Sequence, residues 1–338
     1  MSINLINDRV VWDSFIEKSP DKMLFFHWDF LKIIEKHSGF TLLPYGIFEE
    51  KDNTLLSIFP LFFYKKFGMK FLFSHPPRSG IPYIGFLMAP EYYSLRQRQK
   101  ESYLNQVVQE ITKEIDAISP HFVSISFGQN IQDIRPFQWK GFEIDVHYTY
   151  TVDVTLPIET IWNSLSKSTK RDLRSVEKRN ISLKETDDSK TFLSIMQDRY
   201  GQQGLNFPIF SLDYLNDILA AFPHYVKMFF LCENDKILSL GTTYHYNTRY
   251  VFWIGGVNTD TTVSGNDMLY WELIKKAKAE GSKTVDFGGA STERLCFFKS
   301  KFNPGIEQNF TVLKKDPLGR SSEFFYLHIL KRKISGYF

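Results

Sequence analysis

The layout of this 338-residue chain occurs twice. Residues 48–64, FEEKDNTLLSIFPLFFY, and 231–246, LCENDKILSLGTTYHY, each set a charged, turn-forming stretch before an apolar strand. Both turns contain an aspartate ahead of a similar triplet, Leu55-Leu56-Ser57 in one and Ile237-Leu238-Ser239 in the other. Turn residues between two strand-like runs predict a hairpin. Further on, VVQEITKEIDAISPHFVSISFGQ (107–129) and LIKKAKAEGSKTVDFGGA (273–290) are each a charged helix, a short break and a strand ending in Phe-Gly. The hairpins lie about 182 residues apart and the helix–strand units about 160, as a diverged duplication with loops of different length would. Chance similarity of two α/β segments gives the same pattern without common descent. Each half reads as helices, a hairpin, further strand, a long helix and a strand ending at glycine.

The length suits two ordinary domains, and a hydrophobic content of 43% with 32 phenylalanines can fill two cores. The boundary is expected near YTYTVDV (148–154), giving 1–150 and 151–338, with a C-terminal helix in the second part. No Gly/Ser/Pro-rich linker separates them, so packed halves are expected. The tail SSEFFYLHILKRKISGYF reads as a basic helix docked by Phe324, Phe325 and Leu327, or as a surface membrane anchor.

Several function classes are disfavoured. The net charge of +3 implies neither nucleic acid nor membrane by itself. Cys232 and Cys296 sit in apolar stretches without CxxC spacing, which suggests a reducing compartment. The N-terminal MSINLINDRVVWDSF lacks the pattern of a secretory signal, and the apolar run 55–64, about half a membrane span, contains Pro60. A cytoplasmic protein without a transmembrane segment is expected. The eight histidines show no paired metal-ligand spacing, and GxSxG, GxxxxGK[ST] and GxGxxG are missing. The loop FSHPPRSGIPYIGFLMAP (73–90) reads either as a packed turn or as the lining of a cleft between domains.

Three constellations could carry chemistry. In TVDFGGASTERLCFFKSKFNPG (284–305), Val285 and Phe287 alternate with Thr284 and Asp286 as in a half-buried strand. Gly288-Gly289 then permits a sharp turn and a close ligand approach. Ser291 or Thr292 can cap a short helix, with Glu293 in its first turn. On that helix Leu295, Phe298 and Phe302 share one face, and Lys299 lies beside it. A partly dry ammonium stabilises a developing anion by about 4 kcal/mol at 4 Å, roughly a thousandfold in rate. The alternative is a lysine that snorkels past the rings to water.

The second is SLSKSTKRDLRSVEKRN (164–180). Lys167, Lys170, Arg171, Arg174 and Lys178 fall within an arc of about 100°, opposite Leu165, Leu173 and Val176. Such a face suits phosphate groups on a nucleotide sugar, coenzyme A or RNA. Ordinary solvated charge fits as well. The third is RYVFWIGGVNTDTTVSGNDMLYWELIKKAKAEG (249–281). An aromatic strand containing Trp253 ends at Gly255-Gly256, and Ser264-Gly265-Asn266 opens a helix with a Leu269, Leu273, Ala277 stripe. Free amides at such a helix start favour an anionic donor.

In this order, KRDLRSVEKRNI, NDMLYWELIKKAKAEG, VDFGGAS and FFKSKF resemble the FemAB-like branch of the GNAT superfamily. That branch includes peptidoglycan-bridge peptidyltransferases and acetyltransferases of polysaccharide and envelope biosynthesis. The likeness is best over 150–314, and RPFQWKGFEIDVHYTYTVDV (135–154) resembles the family's join between domains. It implies an α/β (α+β) fold of two tandem GNAT-type subdomains, each a mixed, largely antiparallel sheet flanked by helices, the first of them degenerate. It also implies metal-free transfer of an acyl or aminoacyl group to an amine or hydroxyl. Lys299, next to Phe298, matches the lysine implicated in the family's transfer chemistry. Asp286 to Gly289 match its strand end, and Arg171 and Arg174 its arginine-bearing helix. One departure is NPG at 303–305, where the glycine following the Phe-Lys segment is displaced.

The expected reaction moves an acyl group from acyl-CoA to an envelope or polysaccharide precursor. Lys299 and backbone amides near Gly255-Gly256 would share the oxyanion charge. Asp286, Tyr250 or Tyr270 would take the amine's proton. Donor and substrate contacts are expected from Lys170, Arg171, Arg174, Trp253, Gly255, Gly256, Gly265, Asn266, Gly288, Gly289 and Phe298. Two alternatives stay open: aminoacyl transfer from charged tRNA, and a non-catalytic module that binds an anionic glycan or RNA.

Overall fold

The computed structural model describes residues 1–129, 131, 133–176, 179–204, 207–258, 265–290 and 292–325. In chain order the first elements are β1 (Ser2–Leu5), α1 (Arg9–Lys18), α2 (Trp28–Ser38), β2 (Thr41–Phe48), β3 (Leu55–Lys66), β4 (Met69–Phe73), β5 (Leu87–Met88), α3 (Pro90–Ser94), α4 (Gln97–Ile118), β6 (Phe122–Phe127) and α5 (Arg135–Trp139). Next come β7 (Glu143–Asp153), α6 (Ile158–Ser164), α7 (Lys167–Val176), β8 (Ile181–Glu185), α8 (Ser189–Gln202), α9 (Leu212–Ala221), β9 (Val226–Glu233), β10 (Lys236–Tyr246) and β11 (Arg249–Val257). The last are α10 (Gly265–Ala279), β12 (Thr284–Gly289), α11 (Glu293–Lys299), β13 (Gly305–Lys315) and α12 (Pro317–Phe325). Among the described residues no helix is long and apolar enough to cross a membrane.

Among the described residues, contacts divide the chain into two units, Met1–Val146 with residues 309–325, and His147–Gln308. This differs from the single cut expected at 150. The division falls a few residues earlier, within β7, and the chain then returns to the first unit at Asn309, taking the rest of β13 and α12 with it. The reason is pairing: Phe310 to Lys315 of β13 bond antiparallel to Phe127 to Phe122 of β6.

The two hairpins form where the turn residues place them. Asn53 and Asn234 adopt the left-handed conformation, φ 58° and 53°, which asparagine tolerates better than most residues. They reverse the chain between β2 and β3 and between β9 and β10, both antiparallel pairs. In the first unit the strand order is β1-β2-β3-β4-β6-β13, with β4 and β6 parallel. In the second it is β8-β9-β10-β11-β12-β7, with β11 and β12 parallel. A long helix precedes the fifth strand of the order in both cases, α4 before β6 and α10 before β12, as a parallel crossover requires. The two units therefore repeat one mixed-sheet order, which is the architecture the duplicated sequence layout implies.

Each long helix buries the stripe its periodicity predicts. Leu104, Val107, Val108, Ile111 and Ile115 of α4 pack on Tyr45, Ile47, Phe59 and Ile125 of the first sheet. Leu269, Leu273 and Ala277 of α10 pack on Leu238, Phe252, Val285 and Phe287 of the second. Burying a Leu or Phe side chain contributes about 1.5–3 kcal/mol, so these stripes fix both helices. The 73–90 loop packs as a turn on the first unit, with Ile81, Tyr83, Ile84 and Phe86 buried. At the C-terminal end the expectation changes. Phe324, expected to dock the last helix, is 61% exposed, while the Phe325 side chain, Leu327 and the basic tail lie outside the described residues.

Candidate functional site

The site grows from the parting of two parallel strands. β11 and β12 pair only at Arg249/Thr284, Tyr250/Val285 and Val251/Asp286. Beyond Asp286 the β12 pairing with β7 shifts register, resuming at Gly289 opposite Thr149. The slack is taken up by Gly288 at φ 71°, a conformation that a side chain would strain. The bulge leaves the carbonyls of Gly288 and Gly289 pointing out of the ladder.

Asp286 anchors this bulge. It is buried, 2% exposed, and one carboxylate oxygen accepts from Thr149 Oγ1 and from Gly288 N, the latter at 2.8 Å. Its other oxygen accepts from Arg249 Nε and Nη2, at 3.2 and 2.7 Å. Arg249 Nη2 also reaches Glu307 at 2.7 Å. A buried carboxylate requires this degree of pairing. Both oxygens of Asp286, expected as a proton acceptor, already hold donors, and the group orders the glycine bulge.

Helix α11 brings Lys299 to the bulge. Thr292 caps it, Oγ1 accepting from Leu295 N at 3.3 Å. Ser291, the other expected cap, lies outside the described residues. Lys299, in the last turn, is 5% exposed and donates from Nζ to Gly288 O at 3.1 Å and Gly289 O at 2.6 Å. Burial pushes its pKa down from the ordinary lysine value to about 8, against an upward pull from Asp286 and Cys296. The Lys299 side chain is therefore held at a fixed place in a dry setting and does not snorkel.

The neighbouring lysine has another duty. Lys301 forms an ion pair with the buried Asp267, 2.8 Å, and stands 5.3 Å over the Phe298 ring. Phe298 and Phe302 pack on Tyr270, with Phe302 also against Phe287. Phe302 is 1% exposed, whereas Leu295 and Phe298 are only half-buried. Phe297 is 78% exposed and walls nothing in.

Tyr250, also expected as a proton acceptor, is buried. Its ring lies in the core against Phe252, its hydroxyl accepts from Thr243 Oγ1 at 3.1 Å, and burial raises its pKa. Tyr270 sits inside the aromatic cluster just described. Trp253 is half-buried on the strand face opposite Phe252.

At the far end of β11, Gly255 allows a close backbone approach. A Cβ there would stand 2.6 Å from Leu240 O and 2.8 Å from Gly241 Cα. Gly256 O accepts from Ser239 Oγ at 2.9 Å, and Ser239 Oγ also reaches Asn266 Oδ1 at 2.8 Å, tying the strand end to the start of α10 at Gly265. Ser264 lies outside the described residues. Arg199 of α8 donates to Val257 O at 2.9 Å beside them.

The basic helix forms as α7, with Thr169, Leu173 and Val176 buried. Arg171 and Arg174 are exposed and Lys170 is half-exposed, donating to Asn163 O at 3.1 Å. Arg171 pairs with the adjacent Asp172, and Arg174 stands 5.8 Å over the Trp162 ring. Ser166 N donates to Lys301 O at 2.8 Å, so the start of this helix abuts the segment carrying Lys299. Lys178 lies outside the described residues, and Leu165 precedes the helix.

Thr149, Arg249, Glu307, Asp267 and Arg199 went unnoticed in the sequence. A buried strand aspartate calls for a cationic partner one strand away, which would have pointed to Arg249. For Arg199 no local pattern exists. Among the described residues no group of three His, Cys, Asp or Glu side chains is placed to hold a metal ion.

Residues 163–299 match the family described as an acetyltransferase (GNAT) domain. The fold is similar to that of FemX, at 14% identity and TM-score 0.68 over 96% of this chain and 100% of that one. It is similar to the C-terminal domain of a putative lysylphosphatidylglycerol synthetase from Agrobacterium fabrum, at 12% and 0.55 over 93% and 97%. A tandem GNAT protein from the clavulanic acid biosynthesis pathway aligns at 7% and 0.52, over 93% and 97%. At such identities the likeness is one of fold. No curated protein matches the chain significantly in sequence.

Proposed function

We propose, from the premise that this two-subdomain chain is related to the FemAB-like branch of the GNAT superfamily and carries an acetyltransferase-type domain at 163–299, that it transfers an acyl group from a coenzyme A thioester to an amine or hydroxyl of an envelope or polysaccharide precursor. The observation that carries this reading is the dry Lys299 ammonium, held by two carbonyls where β11 and β12 part.

In the proposed reaction a neutral amine attacks the thioester carbonyl. The C–N bond forms as the carbonyl oxygen becomes an oxyanion. Lys299 and main-chain amides of the parted β11 edge stabilise that charge. Collapse breaks the C–S bond, and the thiolate leaves with the proton given up by the amine. With Asp286 and Tyr250 engaged elsewhere, that proton travels through water, and positioning of the two reactants supplies much of the rate. Gly255, Gly256, Gly265, Asn266 and Trp253 are assigned to the donor end. Lys170, Arg171 and Arg174 are assigned to phosphate.

The exposed basic face of α7 favours a second reading, aminoacyl transfer from charged tRNA. FemX and the lysylphosphatidylglycerol synthetase domain share the fold, and a basic helix suits a polyphosphate backbone. Thermal shifts with acetyl-CoA, free coenzyme A and deacylated tRNA separate the readings, because a ligand selective for the native state raises its melting temperature. A shift with acetyl-CoA that persists at high salt supports the first. A shift with tRNA alone that collapses with salt supports the second. Unchanged product formation by Lys299→Ala would refute both.

A further inference from the structure

The β3–β4 hairpin ends in a tip that its local sequence does not favour. The two-residue turn is Phe67-Gly68, with φ of 51° and 80°. Two positive φ values make it the type I′ turn that matches strand twist, whose first position ordinarily holds Asn, Asp or Gly. A bulky phenylalanine there is an outlier. Nothing is recovered by packing: Phe67 is 89% exposed, the highest value of any large hydrophobic side chain among the described residues.

A second local conflict lies beside it. Lys65 is paired directly across from Lys70, and Lys66 from Met69, and like charges placed opposite each other destabilise a hairpin. Lys70 turns inward, donating to Ile118 O at the end of α4 at 2.7 Å. Lys65 and Lys66 stay exposed, with the Lys66 ammonium 5.4 Å over the Phe67 ring. From Tyr64 to Phe73 the hairpin has three lysines and no acid. The half-buried rings of Phe40 and Tyr64 stack behind the tip at 4.7 Å.

We propose that this tip docks on the surface of an anionic lipid bilayer, with Phe67 in the boundary between headgroups and acyl chains and Lys65 and Lys66 on lipid phosphates. Local strain and exposure that folding does not repay mark a site used for contact. A single apolar apex collared by cations matches a layered target, apolar beneath and anionic above. One ring and two lysines supply the paired apolar and electrostatic signals that interfacial attachment needs, and make it weak and reversible. The inference does not depend on the acyl-transfer reading.

The test is co-sedimentation of the full chain with vesicles of phosphatidylcholine alone or with about 30% phosphatidylglycerol. Wild type is expected to partition at least about tenfold better onto the anionic vesicles and to lose that preference in high salt. Phe67→Asn, which suits the turn, should keep or raise the melting temperature and lose about tenfold in partitioning. Lys65→Gln with Lys66→Gln should lose the anionic preference. Equal partitioning of wild type onto the two vesicles, no partitioning, or wild-type behaviour of Phe67→Asn would each overturn the proposal. So would equally Phe67-dependent binding to soluble polyglutamate, which would mark an acidic protein partner instead.

Discussion

The Lys299 ammonium donates to the carbonyl oxygen of Gly289 at 2.6 Å, whereas two residues later Lys301 meets the Asp267 carboxylate at 2.8 Å. The contrast separates two roles for adjacent lysines. A carboxylate cancels a cation, while peptide dipoles orient it and leave its charge to act on a third group. Lys301 therefore fastens the turn that follows α11 to α10, and Lys299 keeps its field.

Replacing Lys299 with alanine is expected to lower kcat by about 10²–10³-fold, the usual effect of deleting one oxyanion donor, with acceptor affinity within about twofold of wild type. Steady-state kinetics beside calorimetric titration of the acceptor would check it. A parallel loss of affinity would instead mean that Lys299 holds substrate.

The acid–base behaviour of this lysine has a definite sign. Its folded pKa, about 8, lies below the ordinary 10.5, so between those values the unfolded chain holds a proton that the folded chain has released. The site's contribution to stability therefore grows as pH rises from about 8 to 10.5 and is lost on going back down. Activity that needs the ammonium falls over the same rise. The expected result is a kcat that declines above pH 8 while the wild-type melting temperature gains on that of Lys299→Ala.

Asp286→Asn removes the charge that Arg249 and the bulge share. Breaking a buried pair on one side costs about 3 kcal/mol or more, and losing the carboxylate's pull should move the Lys299 pKa lower still. Urea midpoints should fall, and the alkaline limb of the rate profile should shift to lower pH. An unmoved limb would disconnect Asp286 from Lys299.

Gly255→Ala places a methyl group against backbone atoms of β10, which cannot rotate away. A cost of about 1–3 kcal/mol is expected, together with weaker acetyl-CoA binding as β11 shifts. Chemical denaturation and donor titration would show both. Loss of stability with intact donor affinity would move the donor site elsewhere.

Arg171→Ala with Arg174→Ala touches exposed side chains, so stability should stay within about 0.5 kcal/mol of wild type. Affinity for the phosphate-bearing ligand should fall, and the slope of log affinity against log salt should flatten by about one unit per lost contact. Titrations at two or three ionic strengths suffice. If affinity and slope both hold, the α7 face is solvated surface.

What could be read beforehand was local. Hairpin turns, the α10 stripe, the Thr292 cap and the strand end at Gly288-Gly289 all follow from periods and turn chemistry within a dozen residues. The hydrogen-bond partners of Asp286 were not legible because they are distant in sequence. Arg249 lies 37 residues from Asp286, and Thr149 lies 137 away. Alternation placed Tyr250 on a strand without saying which face met α10. Phe67 passed unremarked because a phenylalanine between lysines looks ordinary until its φ and exposure are known.

The pairing of β13 with β6 bears on how the protein is made. Synthesis runs from the N-terminus, and domains generally condense as their residues emerge. The second unit is complete once residue 308 has been added, but the first still lacks a strand. Until Phe310 to Lys315 arrive, β6 has a bare edge carrying Val123, Ile125 and Phe127, and an unguarded edge of that composition recruits other chains. The half translated first is thus finished last, and ribosomal stalling or a premature stop before residue 309 would release an aggregation-prone sheet beside a sound neighbour.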